Sequence, residues 1–260
     1  MTRLETKLND LKNKGRKALN IYITAGAPDV ETSKRAIIEA TKAGADIIEI
    51  GIPFSDPTAE GPVIQEANLV ALENGVTTDK IFDMVKEVRA TVDTPMTFMT
   101  YANVVYSYGA EKFIRICSEI GIDGLVLPDI PFEEKGEFID ICEKYDVDLV
   151  SLIAPTSKDR ISMIAKEAKG YIYLVSSLGV TGTRTEITTD LDSIVKVIRE
   201  NTDVPCAIGF GISTPQQAAK MATISDGAIV GSAIIKLIKE NGKDAPKVVG
   251  EYVKKMKKAV

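Results

Sequence analysis

An α/β fold with a parallel sheet, closed into a (βα)8 TIM barrel, is the fold class this sequence predicts. Three observations carry that reading. Short, β-branched apolar runs recur eight times along the chain; an amphipathic stretch of helical period accompanies each; and the runs are continuously apolar, which implies strands buried on both faces. The length of 260 residues suits a barrel, since such folds reach about 250 residues as one unit. A doubly wound open sheet stays open as the alternative, because it too alternates strands with helices.

The elements follow in order. Leu4–Lys14 reads as a leading helix that caps the barrel bottom. The expected strands are Ile21–Thr24, Ile47–Ile50, Thr97–Thr100, Gly124–Leu127, Leu149–Ile153, Tyr171–Val175, Cys206–Ile208 and Gly227–Val230. Their helices are expected at Glu31–Lys42, Asp79–Thr91, Glu111–Ile120, Glu133–Tyr145, Lys158–Ala168, Leu191–Asn201, Thr214–Thr223 and Ala233–Asn241. Ala245–Lys258 reads as a basic amphipathic closing helix, its lysine-rich end a solvated face that suits the helix dipole. No Gly/Ser-rich linker or charge run divides the chain, so residues 1–260 are expected to form a single barrel domain.

Composition narrows the chemistry. The net charge of −5 comes from 32 basic and 37 acidic residues mixed along the chain. No basic stripe offers itself to a nucleic-acid backbone, and no nucleic-acid partner is expected. The sequence contains no histidine, and Cys117, Cys142 and Cys206 have no CxxC spacing. A conventional zinc site is therefore not expected, and acid–base work must fall to carboxylates, Tyr or Lys. The N-terminus is charged, and no segment approaches the roughly 20 apolar residues of a membrane span. A cytoplasmic protein without a membrane partner is expected.

Barrel active sites form at the C-terminal ends of the strands. Glu49 lies inside the apolar run Ile47–Ile50, and a buried carboxylate without a partner loses several kcal/mol of solvation or takes up a proton. The placement makes sense if Glu49 points into the barrel mouth; a salt bridge between strands is the bland alternative. The Gly51–Pro62 stretch reads as a long loop that carries Asp56 and Glu60 and could bring a second carboxylate opposite Glu49. Two carboxylates in different environments can divide acid and base roles. Asp56 by itself reads as an Asx-turn cap.

Phosphate in such barrels is commonly held by the loops after strands 7 and 8 and by a helix N-terminus. SSLGVTGTRTE, GFGIST and VGSAII follow the sixth, seventh and eighth runs. Gly209 and Gly211 permit close approach, Gly231 and Ser232 open the last helix, and together they point to a phosphate monoester site. Leu178–Arg184 reads as a lid that excludes water. Tyr22, Met99, Tyr101, Tyr173 and Phe210, near strand ends, could line a flat pocket for an aromatic ring.

Along nearly its whole length the sequence resembles the tryptophan synthase α-subunit family, through YITAGAPD at Tyr22, EIGIPFSDPTAEGPVIQ, TYAN, DGLVLPDIP, LVSSLGVTG, GFGIS and DGAIVGSAI. The resemblance implies a (βα)8 TIM barrel with an extra N-terminal helix and extra helices in the loops. It implies retro-aldol cleavage of indole-3-glycerol phosphate to indole and glyceraldehyde 3-phosphate, the indole passing through a tunnel to a β subunit that makes L-tryptophan. It implies an αββα tetramer whose pyridoxal phosphate sits in the β subunit, with no cofactor in this chain. By the same resemblance Glu49 is the general acid–base, and Glu60 takes the place of the carboxylate that bonds the indole N–H. The family motif usually reads aspartate there. Asp129 orders the catalytic loop; Thr181, Gly182, Gly211, Gly231 and Ser232 hold the phosphate end; and Tyr22, Met99, Leu152 and Phe210, with Tyr101 and Tyr173, surround the ring. Ala27 and Thr58 depart from the residues many members carry. A stand-alone indole-producing lyase, or a binding subunit whose chemistry is lost through Glu60, are the competing readings.

Overall fold

The computed structural model describes residues 2–176, 190–209 and 211–260. Its eight strands are β1 (Ala18–Thr24), β2 (Ile47–Gly51), β3 (Met96–Met99), β4 (Gly124–Val126), β5 (Asp148–Ile153), β6 (Lys169–Val175), β7 (Cys206–Gly209) and β8 (Gly227–Val230). Each pairs in parallel with the next, and β8 pairs with β1, closing the barrel. That last pairing excludes the open sheet.

The helices are α1 (Arg3–Asn13), α2 (Val30–Lys42), α3 (Pro62–Glu73), α4 (Thr78–Arg89), α5 (Ala102–Tyr108), α6 (Ala110–Glu119), α7 (Gly136–Lys144), α8 (Lys158–Lys166), α9 (Leu191–Asn201), α10 (Pro215–Ile224), α11 (Ser232–Asn241) and α12 (Ala245–Lys257). All the expected helices form, with ends shifted by a few residues. The largest shift is at α7: residues Phe132–Glu134 make a separate 3-10 turn, closed by the Glu134 N–H on the Pro131 carbonyl, before the helix starts at Gly136. Two additional helices fill the loops at the catalytic end. Pro62 opens α3 at its first turn, where the missing N–H is no loss, and α5 is only seven residues long.

One device repeats at the barrel bottom. An aspartate stands just before β2, β4 and β8, and each accepts the N–H of a residue on the preceding strand. Asp46 takes Leu19 N–H at 2.9 Å, Asp123 takes Met96 N–H at 2.9 Å and Asp226 takes Cys206 N–H at 3.0 Å. Each also meets a cation: Lys257 at 2.7 Å, Arg89 at 3.2 Å with Arg3 at 3.1 Å, and Arg199 at 3.4 Å with Lys17 at 3.6 Å. Orphan strand donors are thereby satisfied, and both terminal helices are fastened to the barrel. Leu4, Leu8 and Leu11 bury one stripe of α1, while Val249, Val253 and Met256 bury the inner face of α12. Lys257 corrects the expectation of a wholly solvated closing face. Its ammonium is nearly buried against Asp46 and the Lys17 carbonyl, whereas Lys254 and Lys255 are exposed.

All three cysteines are buried and free. Among the described residues no helix is long and apolar enough to cross a membrane.

Candidate active site

Glu49 is fully buried at the centre of β2, in register with Tyr22 on β1 and Thr97 on β3. Among the described residues no cation pairs with it. The hydroxyl of Tyr171, on β6 across the barrel, instead donates to Oε1 at 2.6 Å. The bland expectation of an inter-strand salt bridge is thus replaced by a tyrosine contact. Burial pushes the Glu49 carboxyl up from 4.5 to about 7, against the opposing pull of Tyr171 and, more weakly, of the nearby Asn20 amide. Among the described residues Oε2 has no hydrogen-bond partner. A carboxyl poised near neutrality and free of a counterion can both give and take a proton at ordinary pH.

Glu60 arrives from the β2–α3 loop and is also buried, 3% exposed. Its Oε2 accepts from the Asn68 amide at 2.8 Å, and its carbonyl accepts from Gln65 at 2.9 Å. Burial raises this carboxyl to about 7 as well, with Asn68 and then Tyr22 favouring the charge. The two carboxylates were expected to sit in different environments. Burial governs both, and what differs is the partner: a phenol from a strand for Glu49, an amide from a helix for Glu60.

Tyr22 and Tyr173 connect the two. Burial holds both phenols well above their usual range, and the charges of Glu49 and Glu60 each add to the effect. Two glycines make room for these rings. A Cβ on Gly51 would lie 2.1 Å from the Tyr22 hydroxyl oxygen, and one on Gly209 would lie 2.5 Å from the Tyr173 ring. Gly209, expected to permit close approach, also makes room for the Tyr173 ring. Gly209→Ala is therefore expected to displace Tyr173 and lower kcat/KM by about 10-fold or more, with a stability loss of roughly 1–3 kcal/mol from overpacking. Steady-state kinetics beside urea unfolding would check both.

The second carboxylate's loop is fastened from β3 and β4. The Ala59 N–H donates to the Tyr101 hydroxyl at 3.0 Å, and the Phe54 ring stacks on Tyr101 with centroids 5.1 Å apart. Tyr101 is the N-cap residue of α5 and supplies no side-chain cap. Asp129, after β4, takes that role, both oxygens accepting the Ala102 N–H at 3.1 Å. Hydrogen bonds thus connect Asp129, through the start of α5 and Tyr101, to Ala59 beside Glu60. Asp56 does not form the expected Asx turn; its carboxylate accepts from the Ser55 hydroxyl at 2.5 Å on the exposed side of the loop.

Where the sequence predicts a phosphate site, Gly211 has φ of +77°, a left-handed conformation that favours glycine. Gly231 caps α11 and its carbonyl accepts the N–H of Ile234 at 2.8 Å, leaving Ser232 in the first turn. Gly231 also lies against Tyr22, so this helix start borders the same mouth. Met99 is buried at the end of β3, and Leu152 is half-buried on β5 in register with Tyr173. Thr181, Gly182, Phe210 and the Leu178–Arg184 segment lie outside the described residues. Among the described residues no three His, Cys, Asp or Glu side chains converge on a metal-sized space.

Tyr171 and Asn68 were missed from sequence. Tyr171 was within reach: it lies two residues before Tyr173 in one strand, and a period of two puts both on the inner face. Asn68 carried no comparable signal, because α3 was not placed.

The family model described as tryptophan synthase alpha chain matches residues 8–260. The tryptophan synthase alpha chain of Caldanaerobacter subterraneus subsp. tengcongensis is 45% identical over 255 residues, 97% of each chain. That of Lacticaseibacillus casei is 46% identical over 257 residues, 99% of this chain and 96% of the relative. Among solved structures, tryptophan synthase subunit alpha from Legionella pneumophila superposes with a TM-score of 0.89 at 35% identity, covering 100% of this chain and 98% of the other. A chain of Mycobacterium tuberculosis tryptophan synthase gives 0.91 at 30% identity, covering 100% and 98%. The match spans the barrel from the first helix to the last, and the chain belongs to the tryptophan synthase alpha chain family.

Proposed function

We infer that this chain is the lyase subunit that cleaves indole-3-glycerol phosphate to indole and glyceraldehyde 3-phosphate. The observation that carries the inference is the pair of buried carboxyls, Glu49 and Glu60, both near neutrality and without a counterion among the described residues, facing two tyrosines at the mouth of a barrel of this family.

The neutral form of Glu49 donates a proton to the indole carbon that bears the glycerol side chain, which turns the ring into an electron sink. The resulting Glu49 carboxylate takes the proton of the adjacent glycerol hydroxyl. The carbon–carbon bond then breaks, its electron pair returns to the ring, and the hydroxyl-bearing carbon becomes the aldehyde. Glu60, as the carboxylate, accepts the indole N–H and offsets the positive charge that develops on the ring. Gly211, Gly231, Ser232 and the start of α11, with Thr181 and Gly182, take the phosphate. Tyr22, Met99, Tyr101, Leu152, Tyr173 and Phe210 surround the ring. The exposed Ser55, Asp56 and Thr58 of the Glu60 loop suit contact with a pyridoxal-phosphate-dependent β subunit in an αββα tetramer, which receives the indole.

The direct test is release of glyceraldehyde 3-phosphate from indole-3-glycerol phosphate by the purified chain, expected to accelerate when a β subunit is added. No turnover even with that partner overturns the inference. Glu60→Asp, which restores the commoner family residue, is expected to lower kcat by on the order of 10- to 100-fold, because the shorter arm forfeits the Asn68 contact and moves the carboxylate by about an ångström.

A further inference from the structure

We propose that Asn68 is a positioning residue for Glu60, a side chain of helix α3 that reaches both ends of the exposed part of the β2–α3 loop and holds the Glu60 carboxylate in its working place. The proposal rests on the reading of Glu60 given above.

Ile64, Ala67, Asn68 and Ala71 form the buried stripe of α3. An asparagine on an apolar stripe, 2% exposed, destabilises a fold unless its amide is bonded. Its three observed bonds are specific. Oδ1 accepts the Phe54 N–H at 3.2 Å, and Nδ2 donates to the Ile64 carbonyl at 2.9 Å and to Glu60 Oε2 at 2.8 Å. The partners also fix which way the amide points. A flipped amide would set its oxygen against a carbonyl and a carboxylate, and its NH2 against the Phe54 N–H.

Phe54 and Glu60 bracket the exposed part of the loop, and Asn68 touches both. Gln65, one turn earlier on α3, grips the Glu60 carbonyl, and Tyr101 grips Ala59. The backbone of Glu60 is therefore held by other groups. Its carboxylate is held chiefly by the Asn68 amide at 2.8 Å, with a weaker pull from Tyr22. That division makes Asn68 the group that sets where the longer glutamate arm ends. The donated bond also favours the charged carboxylate over its buried neutral form.

The test follows glyceraldehyde 3-phosphate release by the full chain with its β subunit present, across pH, for the parent, Asn68→Ala, Glu60→Gln and the double variant. Asn68→Ala is expected to lower kcat about 10-fold at pH 7, to change KM by less than about threefold, and to move the acid limb of the profile upward by roughly one pH unit. Glu60→Gln is expected to lower kcat on the order of 100-fold, and the double variant to match Glu60→Gln within about twofold, because residues acting through one group are not additive. An acid limb that stays in place in Asn68→Ala, or a double variant that shows the product of the two losses, overturns the proposal. Glu60→Gln as active as the parent overturns instead the role of Glu60 on which it rests. Where Asn68→Ala yields too little folded protein, Asn68→Asp keeps the acceptor for Phe54 and sets a second carboxylate against Glu60. Its acid limb should move further upward, and an unmoved limb is again contrary to the proposal.

Discussion

Glu49→Gln is expected to lose activity by on the order of 100- to 10,000-fold and at the same time to become more stable than the parent at pH 8. Both effects come from one cause. The parent carboxyl is fully buried, without a cation among the described residues, and raised from 4.5 to about 7. Below about pH 4.5 it is neutral in the folded and the unfolded chain, and nothing is lost. Between 4.5 and about 7 the unfolded chain releases its proton while the folded chain keeps it, so stability falls as pH rises; above 7 the loss is complete. A displacement of this size corresponds to on the order of 3 kcal/mol. Glutamine keeps the shape and can still accept from the Tyr171 hydroxyl, but it has no charge to desolvate. Urea unfolding of parent and variant at pH 5 and pH 8 is the measurement. The variant's advantage should be present at pH 8 and largely gone at pH 5, and equal stability at both pH values would show that the Glu49 charge is solvated. Glu60 and Asp148, also raised by burial, slope in the same direction and stay in both proteins.

Asp123→Ala is the largest expected loss of stability, about 3–5 kcal/mol, the range for breaking one side of a buried pair. Asp123 is almost fully buried and Arg89 is 14% exposed. Arg89 also donates to the carbonyls of Val92, Thr94 and Gly121 at 3.2, 2.9 and 2.6 Å. It thereby joins the end of α4 to the starts of β3 and β4. Removing Asp123 leaves that guanidinium without its near counterion, leaves the Met96 N–H without this acceptor and leaves Arg3 with only the exposed Asp93 among its ion-pair partners in the described residues. The exposed pair Lys196–Asp192, with side chains 70% and 53% exposed, is the control: Asp192→Ala should change stability by less than about 0.5 kcal/mol. Chemical unfolding compares the two. Similar small losses would mean that water already reaches Asp123.

The strands were legible because each is an apolar run buried on both faces, and burial of that kind leaves its mark on composition within a few residues. Glu49 was legible for the opposite reason: a charge inside such a run contradicts its surroundings. The β2–α3 loop was legible from its Pro, Gly, Ser and Asp content, but its end was not. The α3 segment, PVIQEANLVALE, has a weakly amphipathic pattern, because it packs both on the barrel and beneath the loop, and it was not placed as a helix. The short α5 escaped for want of length.

By itself the sequence determined the eight-unit alternation, the family signature and the presence of two carboxyls at the catalytic end. Those follow from local pattern, which a linear reading contains. Only the tertiary structure decided the partners: Tyr171 across the barrel from Glu49, Asn68 under Glu60, Asp129 capping a helix that begins 27 residues earlier in the chain, and Gly51 and Gly209 making space for the rings of Tyr22 and Tyr173. Closing the barrel brings together side chains that are distant in sequence, and burial there sets both carboxyls near neutrality. Neither the pairing of distant strands nor the loss of water can be read from the spacing of residues along a chain.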